Sequence, residues 1–531
     1  MAKKKNENIK VGYAIYPSVN LQDLTVDSKT NKKKMTFHKT LLFGDYIEAQ
    51  LDENGEYISE WIGEGKKAVE YIYIHCRDAY GYIKKSELQF ERPLEVNFID
   101  VGQGDGCHIV TPDDKHFLVD AGKGDNMYRF LKWRFSLSKP KNKAPWFTVV
   151  ITHSDADHYQ GFKYLIDKSN EEDPKINFRK IYHNGMIEGS GSKLDTLGTL
   201  VTKDGDKFIT DLCDKDADYK RRLEEVESGK IKAGVYLKMI QKSKAPKEGL
   251  RAGTEEKPVY IYNKDGMTMQ IMGPVSEEVD GKPALRVFGD TGKTKNGHSV
   301  VIKLTIGHLN MLLGGDLNTE SEYHLIKAYS GKDVAAIKKV LATKNLDEKT
   351  RKAKEAELEQ AIHDAGKYLG VDIAKSCHHG SDDFSSEFLR VLNPLATVIS
   401  SGDDEPYCHP RPDTLGTIGK YSRGIRPMIY STELARSSKE FIELNELIDK
   451  EAASPEKTAE TELKDKKGKT IDKKERVVTV YGMINVRTDG NKVIFAQKLE
   501  RPATNGNTWD IHKLEWNEKK GEFELVGSKE K

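Results

Sequence analysis

Thr152-His153-Ser154-Asp155-Ala156-Asp157-His158-Tyr159-Gln160-Gly161 follows directly on the apolar run Phe147-Thr148-Val149-Val150-Ile151. The run reads as a buried strand and the decapeptide as the loop and helix start beyond it. Two imidazoles and two carboxylates fall within the six positions 153–158. Imidazole suits borderline cations and carboxylate harder ones, so one short loop carrying both can serve two ions that share a water. A capped helix start is the plainer alternative, with Asp155 or Asp157 accepting from the free amides of a helix beginning near His158. Capping accounts for one acid and leaves the second acid and both histidines without a role. The metal reading requires further ligands on other strand ends.

Such residues occur downstream. His298 stands in Asn296-Gly297-His298-Ser299, before an alternating run over residues 300–306. Asp316 closes Met311-Leu312-Leu313-Gly314-Gly315-Asp316, and His378-His379-Gly380-Ser381 follows the strand expected at residues 372–377. Each lies where a strand should give way to a loop, so all can converge on one rim of a sheet sandwich.

With these pieces assembled, the chain resembles the metallo-beta-lactamase-fold hydrolases, and more narrowly the hydrolase domain of ComEC-type competence DNA-uptake proteins. The matching motifs are Phe98-Ile99-Asp100-Val101-Gly102-Gln103-Gly104-Asp105, Leu118-Val119-Asp120-Ala121-Gly122, residues 152–161, 296–301 and 313–316, His378-His379-Gly380-Ser381 and His409-Pro410. They run in the family's order over about residues 94–435. Lactamase-type enzymes carry His where this chain has Asp155, a departure that speaks against an antibiotic hydrolase. A carboxylate there makes the first metal position harder, shifting preference from zinc toward manganese or magnesium.

The resemblance implies an α/β fold, an αββα sandwich holding two divalent ions, zinc or manganese. It implies that His153, Asp155 and His298 hold one ion, that Asp157, His158 and either His378 or His379 hold the other, and that Asp316 bridges them. The His298 position varies in the family, and a loop-bonding histidine is its alternative. Two adjacent ions can acidify a shared water and clamp a phosphoryl group, so no protein nucleophile is needed. Asp120 reads as an acid that fixes the tautomer of a metal-binding histidine. Asp105 is read either in the same way or as the closure of a glycine-rich turn. His409 is read either as a proton donor to the leaving oxygen and phosphate contact, or as a loop histidine fixed by Pro410. Ser381 is a further residue placed beside ligands or substrate.

The length of 531 residues predicts two or three units. Residues 1–92 read as short strands that resemble a bacterial SH3-like barrel, a candidate protein-binding module. Residues 93–436 read as the hydrolase domain with an insertion near 184–257. Residues 437–476 read as a charged helical insertion or linker, and residues 477–531 as C-terminal strands completing the hydrolase domain. The stripe Leu358, Ala361, Ile362, Ala365 and Leu369 predicts one buried helix face.

Five scattered cysteines without a CxxC pair suit a reducing compartment. No apolar run approaches the roughly 18 residues of a membrane span, and the basic start lacks an apolar segment behind it. These features together predict a cytoplasmic protein with no membrane partner. A net charge of +1 gives no global attraction to nucleic acid, so contact with a polyanion needs a local patch. The candidates are Lys230, Lys232, Lys238, Lys242, Lys244, Lys247 and Arg251, joined by Lys293 and Lys295; a solvated charged face is the alternative. The expected activity is a metal-dependent phosphodiesterase, a DNA nuclease by resemblance, with a defence-system effector as one setting. Hydrolysis of a smaller phosphodiester, such as a cyclic nucleotide or phosphocholine conjugate, is the second expectation. A non-enzymatic partner-binding scaffold is the third.

Overall fold

The computed structural model describes residues 8–402, 407–424, 426–432, 482–499 and 506–527. The charged segment expected at 437–476 and the strand expected at 477–481 lie outside the described residues. The chain forms two compact units. One comprises Met1–Asn97, Ile109–Lys115 and Ile484–Lys531, the other Phe98–His108 and His116–Met483.

The first unit is built on antiparallel strands. Its N-terminal sheet runs in the order Lys33–Leu42, Ser18–Val26, Ala79–Lys84, Val69–Cys76, Tyr46–Gln50, Ile9–Ala14, Leu88–Gln89, with Ser59–Ile62 pairing onto Val69–Cys76. Alternation sends Val19, Leu21, Ile47, Ala49, Ile72, Ile74 and Ile83 to one face, where they form a core. Burying each large aliphatic side chain of that set contributes about 1.5–3 kcal/mol. The sheet is a partial barrel. Its edge strands are ten and two residues long, so the short edge cannot zip along the long one to close the barrel expected from the sequence.

The C-terminal strands Ile484–Thr488, Lys492–Lys498, Trp509–Asn517 and Glu522–Leu525 form an antiparallel meander. They form one end of a ten-stranded sheet that continues through Leu94–Phe98, Gly106–Val110 and His116–Ala121, and they also group with the N-terminal sheet. The cause is visible in packing. Ile494, Ala496 and Trp509 share a core with Leu42 and Phe43, and the fully buried Arg487 donates to Asp45 and to the Phe43 carbonyl, both at 2.8 Å.

The second unit is built on two large sheets with helices outside them, and it also carries a four-stranded sheet in the order Thr199–Lys203, Asp206–Thr210, Lys282–Arg286, Glu277–Val279. In one large sheet, Lys247–Gly249, Asn177–His183, Trp146–Val150 and His116–Ala121 run parallel in that order. Their outer face, through Leu118, Phe147, Val149 and Ile181, packs on the helices Asn126–Arg134, Gly161–Ser169 and Val235–Ile240. The other large sheet runs Tyr260–Lys264, Met267–Gly273, Val301–Ile306, Leu309–Leu313, Ile373–Lys375, Ala396–Ile399, Met428–Ser431, antiparallel at first and parallel from Leu309 onward. Val301, Leu312 and Ala374 face the helices Thr319–Ser330, Glu348–Leu369 and Ser386–Leu392. The expected stripe on Glu348–Leu369 lies in this core.

The opposite faces of the two sheets meet each other. Phe117 of the first contacts Tyr262 of the second edge to face, and Val119 and Leu313 line one small pocket. The layers are therefore helix, sheet, sheet, helix. Residues 184–257 are less an insertion than the sequence suggests. Tyr236, Leu237 and Ile240 complete a helical core, and Lys247–Gly249 extends the first sheet. Among the described residues, no helix is long and apolar enough to cross a membrane.

Candidate metal centre

Strand Trp146–Val150 delivers Thr152 and His153 to the rim, and the short helix Ala156–Tyr159 turns His158 inward. Asp155 precedes that helix, but its side chain makes no capping bond. The capping alternative therefore does not describe this loop. Leu309–Leu313 brings up Asp316, and Ile373–Lys375 leads into Cys377–Gly380 with the histidine pair.

The ligand atoms converge. His158 Nε2 and His379 Nε2 are 3.2 Å apart, and Asp316 Oδ2 lies 3.0 Å from the first and 3.2 Å from the second. Asp157 Oδ2 is 3.6 Å from His379 Nε2, and His153 Nε2 is 4.0 Å from Asp316 Oδ2. His153, His158 and Asp316 form one group able to hold an ion, and Asp157, His158 and His379 another.

The outer bonds of the histidines decide what their inner nitrogens can do. His158 Nδ1 donates to Asp120 at 2.8 Å, and His379 Nδ1 donates to the Ser400 carbonyl at 2.9 Å. Each neutral ring must then present an Nε2 lone pair to the other ring. Two lone pairs facing at that distance call for a cation or a proton between them. Burial disfavours charge on His158, yet Asp316 and Asp120 more than offset it and raise its proton affinity. Burial likewise disfavours charge on His379, while Asp316 and Asp105 raise its pKa to about 10. The same field suits a divalent cation. Asp316 Oδ1 is buried without a hydrogen-bond partner among the described residues, and the donor set of imidazoles and carboxylates fits zinc or manganese.

Several residues around this cluster hold it without joining it. Thr152 donates its hydroxyl to Asp120 at 2.6 Å, and Ser299 Oγ lies 3.2 Å from His153 Nδ1 while accepting from the Asp316 amide. Buried Lys375 pairs with Asp105 and donates to the Gly315 carbonyl at 3.1 Å. The sequence reading passed over Lys375, although a lysine in an otherwise apolar strand is itself a signal. The Asp105 carboxylate pairs with Lys375 and lies 3.3 Å from His379 Nδ1, and its backbone carbonyl accepts from the Gly122 amide. Asp120, His378 and His379 all have left-handed backbone (φ 56°, 49° and 53°). Strain concentrated in this way marks a site that the surrounding structure over-determines.

The structure places the remaining predicted residues as follows. His298 stands outside the cluster: Nε2 bonds the Arg286 carbonyl at 2.6 Å, the ring lies on Phe288, and burial lowers its pKa to about 3. Ser299, not His298, reaches the ligands, because His298 ends helix Thr291–Gly297 with its ring committed to the Arg286 carbonyl. His378 Nε2 lies 3.5 Å from the Asn296 amide group, and the ring is 5.9 Å from His409. Burial together with the nearby His379 and His378 lowers the His409 pKa to about 4, so its ring is neutral near pH 7. Ser381 is buried and bonds its own loop, accepting from the Asp383 amide.

The basic patch is mostly committed elsewhere. Lys230 pairs with Glu225, Lys247 donates to the Ser243 carbonyl, and Arg251 pairs with Asp214. Lys293 faces Glu320 and Asp383, and Lys295 is held by Asp155 and Glu188.

One glycine controls the packing of the ligand loop. Gly104 has φ +104°, and a Cβ there would lie 1.7 Å from the Asp157 carbonyl oxygen. Gly104→Ala must displace the segment carrying Asp157. Metal affinity should fall roughly 10–100-fold, as for loss of an outer-shell support; titration calorimetry with manganese reads it.

No protein-family profile matches the chain. ComE operon protein 3 of Bacillus subtilis (strain 168) is 22% identical over 344 residues, which are 62% of this chain and 31% of that protein. The chain thus spans about a third of the length of this curated relative. A solved structure from Cronobacter sakazakii (Enterobacter sakazakii), a metallo-beta-lactamase with an HARLDQ motif, aligns at a TM-score of 0.20 and 10% identity, over 51% of this chain and 66% of that one. At that score the likeness carries no argument. What the chain shows is a helix–sheet–sheet–helix unit with a His/Asp cluster at its rim, and sequence similarity to ComE operon protein 3.

Proposed function

We propose that the chain is a metal-dependent phosphodiesterase of metallo-beta-lactamase type that cleaves a polynucleotide, DNA in the first instance. The observation that carries the metallohydrolase part is the convergence of His158 and His379 through tautomers fixed by Asp120 and the Ser400 carbonyl. His158, His379, Asp157 and Asp316 would hold one ion, and His153 with Asp316 and Asp155 the other. Ions so held supply Lewis acidity and an activated water when bound. The DNA assignment rests on the ComEC-type resemblance of the motifs.

The chain's own groups then divide the remaining work. Asp120, Thr152 and Ser299 orient the ligand rings, and Lys375 balances the buried Asp105. His378 Nδ1 is buried without a bond partner among the described residues, and it can contact a phosphoryl oxygen. His409, neutral near pH 7, suits such a contact better than proton donation.

The test is hydrolysis by the full chain, stripped with chelator and reloaded with manganese, of single-stranded DNA, duplex DNA, RNA and bis-nitrophenyl phosphate in parallel. Cleavage of DNA that needs the metal and exceeds the other activities is expected. Faster cleavage of a cyclic nucleotide than of any polynucleotide would move the substrate to the small-diester class. No metal-dependent cleavage of any ester would leave the partner-binding scaffold as the better account.

A further inference from the structure

The two halves of the cluster are unequal in charge. Asp157 and the Oδ2 atom of Asp316 face imidazole nitrogens. Asp155, on the other half, faces the His153 imidazole, with Nε2 3.7 Å from its Oδ2, and in addition a lysine: Lys295 Nζ lies 2.5 Å from its Oδ1. The second oxygen is also engaged, since Asn296, with its amide oriented to satisfy both ends, donates to Asp155 Oδ2 at 2.8 Å. Lys295 is not a passing surface chain. Its side chain is 13% exposed and is held from behind by Glu188 at 3.2 Å, which in turn accepts from Ser154. Asp155 accordingly belongs to none of the convergent donor groups, whereas His153, Asp157, His158, Asp316 and His379 all do.

We infer that Lys295 competes with a divalent cation for Asp155, so that the chain binds one ion tightly and a second only as the Lys295 ammonium gives way. The inference rests on the metal centre proposed above and adds an order of filling to it. An ammonium is a compact point charge on a flexible stem, able to retreat toward Glu188 while a cation takes the carboxylate. Glu188 therefore sets the balance: it offers Lys295 an alternative partner and keeps the pocket from carrying an uncompensated positive charge.

The experiment is titration of chelator-stripped full chain with manganese chloride, followed by calorimetry and by elemental analysis at low and high free metal. Wild type should take one ion tightly and the second at least roughly tenfold more weakly, the order of one well-placed ion pair. Lys295→Met should strengthen the second site roughly 10–100-fold and leave the first nearly unchanged. Glu188→Gln should act in the opposite direction, because it removes both a negative charge and the alternative partner of Lys295. A misfolded variant loses both sites, so improved binding in Lys295→Met cannot come from damage. Two equal sites in wild type, or a second site that Lys295→Met leaves unchanged or weakens, would overturn the inference while leaving the metal centre standing. Wild type that takes no manganese at all would overturn the metal centre and this inference with it.

Discussion

Asp157→Ala should lower metal-dependent phosphodiester hydrolysis at least roughly 10²–10³-fold while leaving the thermal midpoint close to wild type. Asp157 faces His379 Nε2 at 3.6 Å and keeps a side chain 21% exposed, so its loss removes a donor from the cluster without opening the core. His158→Ala is the instructive contrast. His158 is fully buried between Asp120 and Asp316, and removing it takes an imidazole partner from two buried carboxylates at once. That variant should lose turnover and also melt earlier, since weakening the pairing of buried charges is destabilising. The pairing of kinetics with melting separates the two residues. An Asp157→Ala protein that folds normally and cleaves at the wild-type rate would place the chemistry away from this cluster.

The contrast between these two residues shows where reading the sequence stops. Their presence as donors was legible, because an acid and an imidazole beyond a buried strand have few other uses. Their burial was not: residues 153–158 read as an exposed loop end, whereas helix Ala156–Tyr159 turns His158 inward beneath the rim. The same limit governs His298 and Ser299. Both stand at a strand start, and only the turn in the backbone decides that the serine reaches His153 while the imidazole bonds a carbonyl. Partnership across long sequence separations was the hardest to read. Lys375 meets Asp105 and Lys295 meets Asp155, and neither pair has a local pattern. The helix–sheet–sheet–helix order was legible only through the family resemblance of the motifs, while the apolar stripe on Glu348–Leu369 by itself gave one buried helix face. The grouping of the C-terminal strands with the N-terminal sheet was not legible, because it depends on Leu42 and Phe43 meeting Ile494 and Trp509.

Lys375→Met should cost about 3–5 kcal/mol of stability, the usual consequence of leaving one member of a buried ion pair without its partner. Asp105 is fully buried, which by itself would push its carboxyl pKa up, but Lys375 first and His379 second hold it down at about 2. A folded-state pKa below the unfolded value of about 3.9 stabilises the protein above that value, and the contribution is lost as pH falls through about 2. Without Lys375 the balance reverses. Burial then dominates and the folded-state carboxyl titrates above its unfolded value, so the penalty is present at neutral pH and relieved as acid protonates Asp105. His379 and His158 also face this carboxylate, at 3.3 and 3.9 Å, but neighbouring carboxylates already raise the proton affinity of both rings, so the change with pH over this range comes from Asp105. The wild-type minus Lys375→Met difference, measured by denaturant unfolding between pH 8 and about pH 5, should therefore shrink steadily toward acid. Adding Asp105→Asn to Lys375→Met should recover most of the loss at pH 7, because it removes the stranded charge. A difference that is flat with pH, or a double variant no more stable than Lys375→Met, would show that the lysine acts by packing its stem and not by balancing Asp105.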